Sequence, residues 1–222
     1  LYSRGVKTDE EIHEFLNPLE VKLTHPKAFL DMEKAVERIS SAISNNEKIV
    51  IYGDFDADGV TSTSLLYKTL TFLGANVSYF IPDREKEGHG FDTKALVKLM
   101  TALKPKLIIS VDCGISDVEP VSFIKSFKID VIITDHHEAP EVLPDAFAII
   151  NPKAPNALDE YLSAKQINSL ASLAGVGVAF KLAQALLEKY NRLEFIPEIL
   201  PFVAVGTVAD LSLIHISEPT RR

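Results

Sequence analysis

The 222-residue chain is short of several things. It has one cysteine, Cys113, so no intrachain disulfide and no cysteine-based zinc site can form, which fits a reducing compartment. Ten glycines and 12 prolines are too few for a collagenous or low-complexity chain, and the 46% hydrophobic and 24% charged fractions fit a globular fold. No apolar run approaches the roughly 20 residues that span a bilayer, and positions 1 to 10 are polar, without a signal-peptide core. The expectation is a cytoplasmic protein with no membrane partner. The first residue is Leu, as in a fragment. Basic residues are also scarce: 23 Lys and Arg against 31 Asp and Glu give a net charge of −8. That balance argues against a phosphate-rich partner unless carboxylates are gathered around divalent cations, which invert the local sign.

Apolar, β-branched runs recur at 48–53 (KIVIYG), 76–82, 107–114, 131–137 and 146–152 and read as buried strands. Helical patterns lie between them, at 60–73, 92–103 and 118–127. This alternation predicts an α/β fold, a mostly parallel sheet with helices on both faces and right-handed crossovers. Ahead of it, Met32, Val36, Ile39 and Ile43 repeat at helical spacing over 31–45 and predict an amphipathic helix docked on the sheet. After the last strand, 154–170 reads as polar and irregular. Two apolar helices follow, at 171–190 and 194–208, the second interrupted by Pro197 and Pro201. The expected organisation is an N-terminal helical entry segment (1–46), a catalytic domain (47–211) and a tail (212–222).

Three aspartates, Asp54, Asp56 and Asp58, directly follow the apolar run IVIYG and precede Gly59 and a hydroxyl-rich helix opening with Thr61 to Ser64. Packed at the end of a buried strand, three carboxylates within five residues are costly unless cations compensate them. A solvated acidic turn is the plain alternative. An EF-hand loop also begins Asp-x-Asp-x-Asp-Gly, but it needs a Glu at its twelfth position and a helix in front; here the twelfth residue is Leu65 and the preceding segment reads as a strand. Asp112 (SVDCG) and Asp135-His136-His137 (VIITDHHE) stand at the ends of two further strands. Strand C-termini of a parallel sheet share one edge, so these groups should converge there. Taken singly, Asp112 reads equally well as a helix cap and each His as structural.

An oxygen-rich site with one or two imidazoles suits Mn²⁺ or Mg²⁺, and so many carboxylates point to two divalent cations and to hydrolysis of a phosphoester or phosphoanhydride. Asp210, in GTVAD, is a candidate additional ligand, and Arg84, in IPDREKEGHG, a candidate phosphate clamp. The helix after Gly59 offers backbone amides toward a phosphate. Gly175 and Gly177, in LAGVGVAF, read as close helix packing, since no third glycine and no strand make a phosphate loop of them.

Taken in order, YGDFDADGVTST, IPDREKEGHGF, SVDCGIS, VIITDHHE, IINPK, LAGVGVAF and GTVAD resemble the successive signatures of the DHH phosphoesterase superfamily, and within it the catalytic core of RecJ-type single-stranded-DNA exonucleases. The resemblance covers about residues 17 to 210. It implies that Asp54, Asp56 and Asp112 hold one cation and that Asp58, Asp112, His136 and Asp210 hold the other, with Asp112 bridging. It further implies that His137 contacts the scissile phosphate or the leaving group and that Asp135 orients the histidines. The implied activity is 5′-to-3′ hydrolysis of single-stranded DNA to 5′-mononucleotides with Mn²⁺ or Mg²⁺, in DNA repair and recombination. The catalytic residues so implied are Asp112, His136 and His137, and the phosphate-binding ones Arg84 and His137. The pattern leaves protein partners unspecified. The chain departs from the family at Gly88-His89-Gly90, where the family has Gly-Tyr-Gly, and after Asp210, so that residues 212–222 are expected to be non-native. Oligoribonucleotide and cyclic-dinucleotide hydrolases of the same superfamily typically have His at the position of Asp54 and Pro before the next Asp, whereas Phe55 precedes Asp56 here. A fragment that binds metal without hydrolysing anything is the remaining alternative.

Overall fold

The computed structural model describes residues 2, 6–17, 23–83 and 90–211. The expectations for Arg84, His89 and residues 212–222 lie outside the described residues. Five parallel strands, β1 (Ile49–Gly53), β2 (Val77–Phe80), β3 (Leu107–Val111), β4 (Asp130–Thr134) and β5 (Ala148–Ile150), form one sheet in the order β2-β1-β3-β4-β5. The helices are α1 (Asp9–Leu16), α2 (Met32–Ser44), α3 (Ala57–Phe72), α4 (Thr93–Leu103), α5 (Val118–Ser126), α6 (Ala164–Ala171), α7 (Gly175–Lys189) and α8 (Ile196–Leu211).

The apolar runs are continuous because the three central strands are covered on both faces, as parallel strands require. Successive side chains alternate between the faces. Ile49, Ile51, Leu107, Ile109, Ile132 and Ile150 pack under α2, α3, α7 and α8, while Val50, Tyr52, Ile108, Val131 and Ile133 pack under α4 and α5. The edge strand β2 is only partly buried.

The α2 stripe Met32, Ala35, Val36, Ile39 and Ala42 is buried, so the entry helix docks as its spacing predicts. Asp31 caps nothing of its own; its Oδ2 accepts from Ile149 N of β5 at 2.8 Å. Arg38 crosses to the start of β4, pairing with Asp130 at 2.6 Å and with Glu47 at 2.8 Å. These bonds fasten α2 to the sheet beyond its apolar contact.

Two expectations are corrected. The segment 154–170 is not all irregular, because Ser163 and Gln166 form a capping box that starts α6. Nor is the last helix interrupted: α8 runs through Pro201. Pro197 falls in the first turn, where its missing N–H costs nothing, and both prolines are exposed, so the bond lost at Pro201 lies toward solvent. Among the described residues no single helix is long and apolar enough to cross a membrane.

Candidate metal centre

β1 and β3 are neighbours, and β2 lies outside β1, so the order of strands reverses between β1 and β3. A crevice opens at such a reversal, at the C-terminal edge of the sheet. Asp54 follows β1, Asp112 follows β3, and Asp135-His136-His137 follow β4. Asp112 N and Asp135 N donate the last bonds across the sheet, to Thr134 O at 2.9 Å and Ile150 O at 3.1 Å, so these residues stand where the strands give way to loops at that edge.

Three groups of side chains have ligand atoms within 4.8 Å of one another: Asp54, Asp56 and Asp112; Asp58, His136 and Asp210; and Asp112, His136 and His137. Asp112 belongs to two of the three. His136 Nε2 lies 3.2 Å from Asp112 Oδ1, 3.9 Å from Asp58 Oδ2 and 4.0 Å from Asp210 Oδ2. Asp210 reaches the cluster from the last turn of α8, which packs along α3 and α7.

Asp112 is 2% exposed, sits at φ +60°, and its Oδ1 has no hydrogen-bond partner. Left-handed backbone at a non-glycine residue costs about 1–3 kcal/mol and persists where the surroundings over-determine it. Gly175, at the start of α7, presses against this carboxylate: a Cβ there would lie 2.4 Å from Asp112 Oδ1. Burial, reinforced by the charges of Asp58 and Asp56, pushes the Asp112 carboxyl up to about 10.

Asp58 takes a different role. Ala174, at the N-cap of α7, has no side chain to cap with, and the orphan amides are met from 117 residues away: Gly175 N donates to Asp58 Oδ2 at 2.6 Å and Val176 N to Asp58 Oδ1 at 2.8 Å. Burial nevertheless holds the Asp58 carboxyl above its ordinary value, the two amides working against it. Asp56 caps α3 through Gly59 N at 2.9 Å, so the helix begins at Ala57, earlier than its apolar pattern suggests, and the amide of its third residue is already engaged. Thr61 Oγ1 likewise donates within the helix, to Ala57 O at 2.7 Å.

Asp135 is 1% exposed. Its Oδ1 accepts from His136 N at 2.7 Å and pairs with His137 Nδ1 at 2.7 Å, and its Oδ2 accepts from Ile115 N at 3.0 Å. Burial opposes its ionisation, but the His137 ring and these amides outweigh it and hold the carboxyl below the usual range. The same hydrogen bond raises His137 from its ordinary value. Asn151, fully buried after β5, donates from Nδ2 to His137 O at 3.0 Å and fixes this turn from below. Sequence reasoning assigned no site role to Asn151 or Gly175; their only signal was their place in IINPK and LAGVGVAF. A cavity of about 310 Å³ opens beside the cluster, lined by Asp54, Gly90, Asp112, Asp117, Asp135 and His137 among others.

The donor set fits divalent cations. It is rich in carboxylate oxygen with imidazole at one side, as Mn²⁺ and Mg²⁺ prefer. It also contains a buried carboxylate oxygen, Asp112 Oδ1, that accepts no hydrogen bond and faces only the His136 imidazole, itself a candidate ligand. Among the described residues no lysine or arginine pairs with Asp58, Asp112 or Asp210.

Residues 48–207 match the DHH family, N-terminal domain. The chain is 44% identical over 218 residues to the single-stranded-DNA-specific exonuclease RecJ of Bacillus subtilis, across 97% of this chain and 25% of that protein. To the Escherichia coli protein of the same name it is 39% identical, across 94% of this chain and 36% of that one. Among solved structures, exonuclease RecJ bound to manganese superposes with a TM-score of 0.70 at 31% identity, covering 86% of this chain and 44% of that one. RecJ from Thermus thermophilus in complex with Mn²⁺ gives 0.65 at 30%, covering 82% and 24%. The chain thus spans between a quarter and about a third of the length of these curated relatives. With its doubly wound sheet and with Asp54, Asp58, Asp112 and His136 inside the matched span, the chain belongs to the DHH family.

Proposed function

We propose that this chain is the catalytic core of a divalent-cation-dependent exonuclease that hydrolyses single-stranded DNA from the 5′ end and releases 5′-mononucleotides, in cytoplasmic DNA repair and recombination. The catalytic domain is residues 47–211, with 1–46 as its entry segment. The observation that carries this reading is the buried Asp112 carboxylate, shared by two of the three ligand groups, whose Oδ1 accepts no hydrogen bond and has His136 Nε2 3.2 Å away. Asp54, Asp56 and Asp112 would hold one Mn²⁺ or Mg²⁺, and Asp58, Asp112, His136 and Asp210 a second. Such ions polarise phosphoryl oxygens, lower the pKa of water and stabilise a leaving oxygen.

The protein's own groups supply orientation. The amides of α7 fix both oxygens of Asp58. Asp135 takes Nδ1 of His137, which leaves Nε2 to hold a proton or hydrogen-bond at the phosphate edge of the cavity. The positive charge brought by the cations reconciles a −8 chain with a polyanionic substrate. The relatives' names supply the substrate class, and the rest of the longer protein is expected to add DNA-binding surface.

The test is hydrolysis by the purified chain in Mn²⁺ of 5′-labelled single-stranded DNA, duplex DNA, a short oligoribonucleotide and pyrophosphate, beside Asp112→Ala. Mononucleotides from single-stranded DNA, lost in the variant, are expected. Turnover of the small substrates alone would move the assignment to another branch of the family, and activity retained by Asp112→Ala would remove its bridging role.

A further inference from the structure

The peptide unit joining Gly90 to Phe91 is held from both sides. Its carbonyl accepts from the Tyr52 hydroxyl at 3.0 Å, and its amide donates to Asp117 Oδ2 at 3.1 Å. Two bonds to one peptide plane fix both its position and its orientation. The Tyr52 side chain is fully buried, its ring 4.7 Å from that of Phe91 and 5.5 Å from that of Phe80. Asp117 stands at the N-cap of α5, where an aspartate ordinarily accepts from its own helix. It makes no such bond and turns to Phe91 instead. Gly90 has φ +73°, and a Cβ there would lie 2.9 Å from both Asp117 carboxylate oxygens, so the contact requires glycine.

Gly90 and Asp117 both line the 310 Å³ cavity, which they share with the candidate ligands Asp54 and Asp112 and with His137. The bonds of Asp117 and Tyr52 therefore set one wall of the cavity relative to the carboxylate cluster. In the proposed function the phosphate lies on the carboxylate and His137 side of this cavity, which leaves the backbone wall at Gly90 for the nucleoside part of a substrate. We infer that Asp117, assisted by Tyr52, is a positioning residue that holds the Gly90–Phe91 peptide as the wall against which the terminal nucleotide rests. This deepens the proposed function and rests on it.

Asp117→Ala removes the acceptor, Asp117→Asn keeps an oxygen for Phe91 N–H, and Tyr52→Phe removes only the hydroxyl. In Mn²⁺ the KM for 5′-labelled single-stranded oligothymidylate rises about tenfold in Asp117→Ala and about threefold in Tyr52→Phe, with kcat within about twofold. Asp117→Asn returns KM to within about twofold of the parent. Mn²⁺ uptake, measured alongside, stays near the parent value, and the thermal midpoint falls by only a few degrees, as the loss of one part-buried hydrogen bond requires. The Kd of thymidine 5′-monophosphate, measured by calorimetry in Mn²⁺, shifts as KM does. Unchanged KM and Kd in Asp117→Ala, a fall in kcat without a change in KM, or loss of Mn²⁺ uptake would each overturn the inference. If the parent hydrolyses no DNA, the proposed function fails while the nucleotide Kd still decides the role of Asp117. If the parent binds no thymidine 5′-monophosphate, the cavity is not a nucleotide seat and the inference falls.

Discussion

Asp112→Asn should stabilise the metal-free chain while destroying its response to metal. In the folded chain burial and two neighbouring aspartates push the Asp112 carboxyl up to about 10. An aspartate in the unfolded chain titrates near 3.9, so at pH 7 folding without metal must supply a proton, at a cost of about 1.36 × (7 − 3.9), or roughly 4 kcal/mol. Asparagine keeps the shape and loses the charge. Allowing for a new amide that needs a partner, the gain at pH 7 is about 2–4 kcal/mol, on the order of 5–15 °C in thermal midpoint for a chain of this size. The sign follows from proton linkage. Because the folded pKa is raised, the folded state binds the extra proton between about pH 4 and pH 10, and wild-type stability falls as pH rises through that window. The advantage of the variant is therefore near zero at pH 4 and grows toward pH 7. Thermal melts in EDTA at pH 4 to 8 read this directly. Saturating Mn²⁺ should reverse the order, since each of two ions at a hundred times its Kd adds about 2.7 kcal/mol to the protein that binds it, together more than the variant's gain. A variant equal to or less stable than wild type in EDTA at pH 7 would show that Asp112 is compensated in solution and would refute the reasoning.

Asp58→Ala should destabilise the chain even in EDTA, by about 2–4 kcal/mol, because it orphans the Gly175 and Val176 amides; Asp58→Asn should recover part of this in urea unfolding. Lys181 is 4% exposed, donates to Thr24 O at 2.6 Å, and desolvation lowers it to about 8. Its folded pKa is depressed, so wild-type stability rises between about pH 8 and pH 10 and is lower by about 3 kcal/mol below that window, a slope that urea melts of Lys181→Met should lack. Ser163→Ala should cost about 1 kcal/mol through the α6 capping box and leave Mn²⁺ uptake unchanged, as thermal melts and calorimetry would show.

Much of this fold was legible because burial on both faces writes strands such as IVIYG and LIISV as unbroken apolar runs. The strand ends are shorter than the apolar runs: DHH looks continuous with VIIT, but past Asp135, whose N–H still donates to Ile150 O, the amides of His136 and His137 turn to the Asp135 carboxylate and the chain leaves the sheet. Helix α6 has a local signal in Ser163-x-x-Gln166, but the polarity of 154–170 as a whole masks it. The prolines of α8 predict a break, but their lost hydrogen bonds on the exposed side cost too little to end a helix packed on α3 and α7. At the site, the strand-end rule brought Asp54, Asp112 and His136 to one edge from sequence alone. What stayed hidden was non-local. Nothing near LAGVGVAF announces that its cap is Asp58, and nothing in SVDCG announces that Asp112 takes a left-handed backbone under Gly175.

The most direct measurement is the number of Mn²⁺ ions bound per chain, by calorimetric titration of the metal-stripped protein with wild type and Asp112→Ala side by side. Two ions in wild type, with neither site retained at full affinity in Asp112→Ala, is the predicted result. A wild type that binds no more than one ion, or an Asp112→Ala chain that still binds two, would contradict a shared two-cation centre built around Asp112.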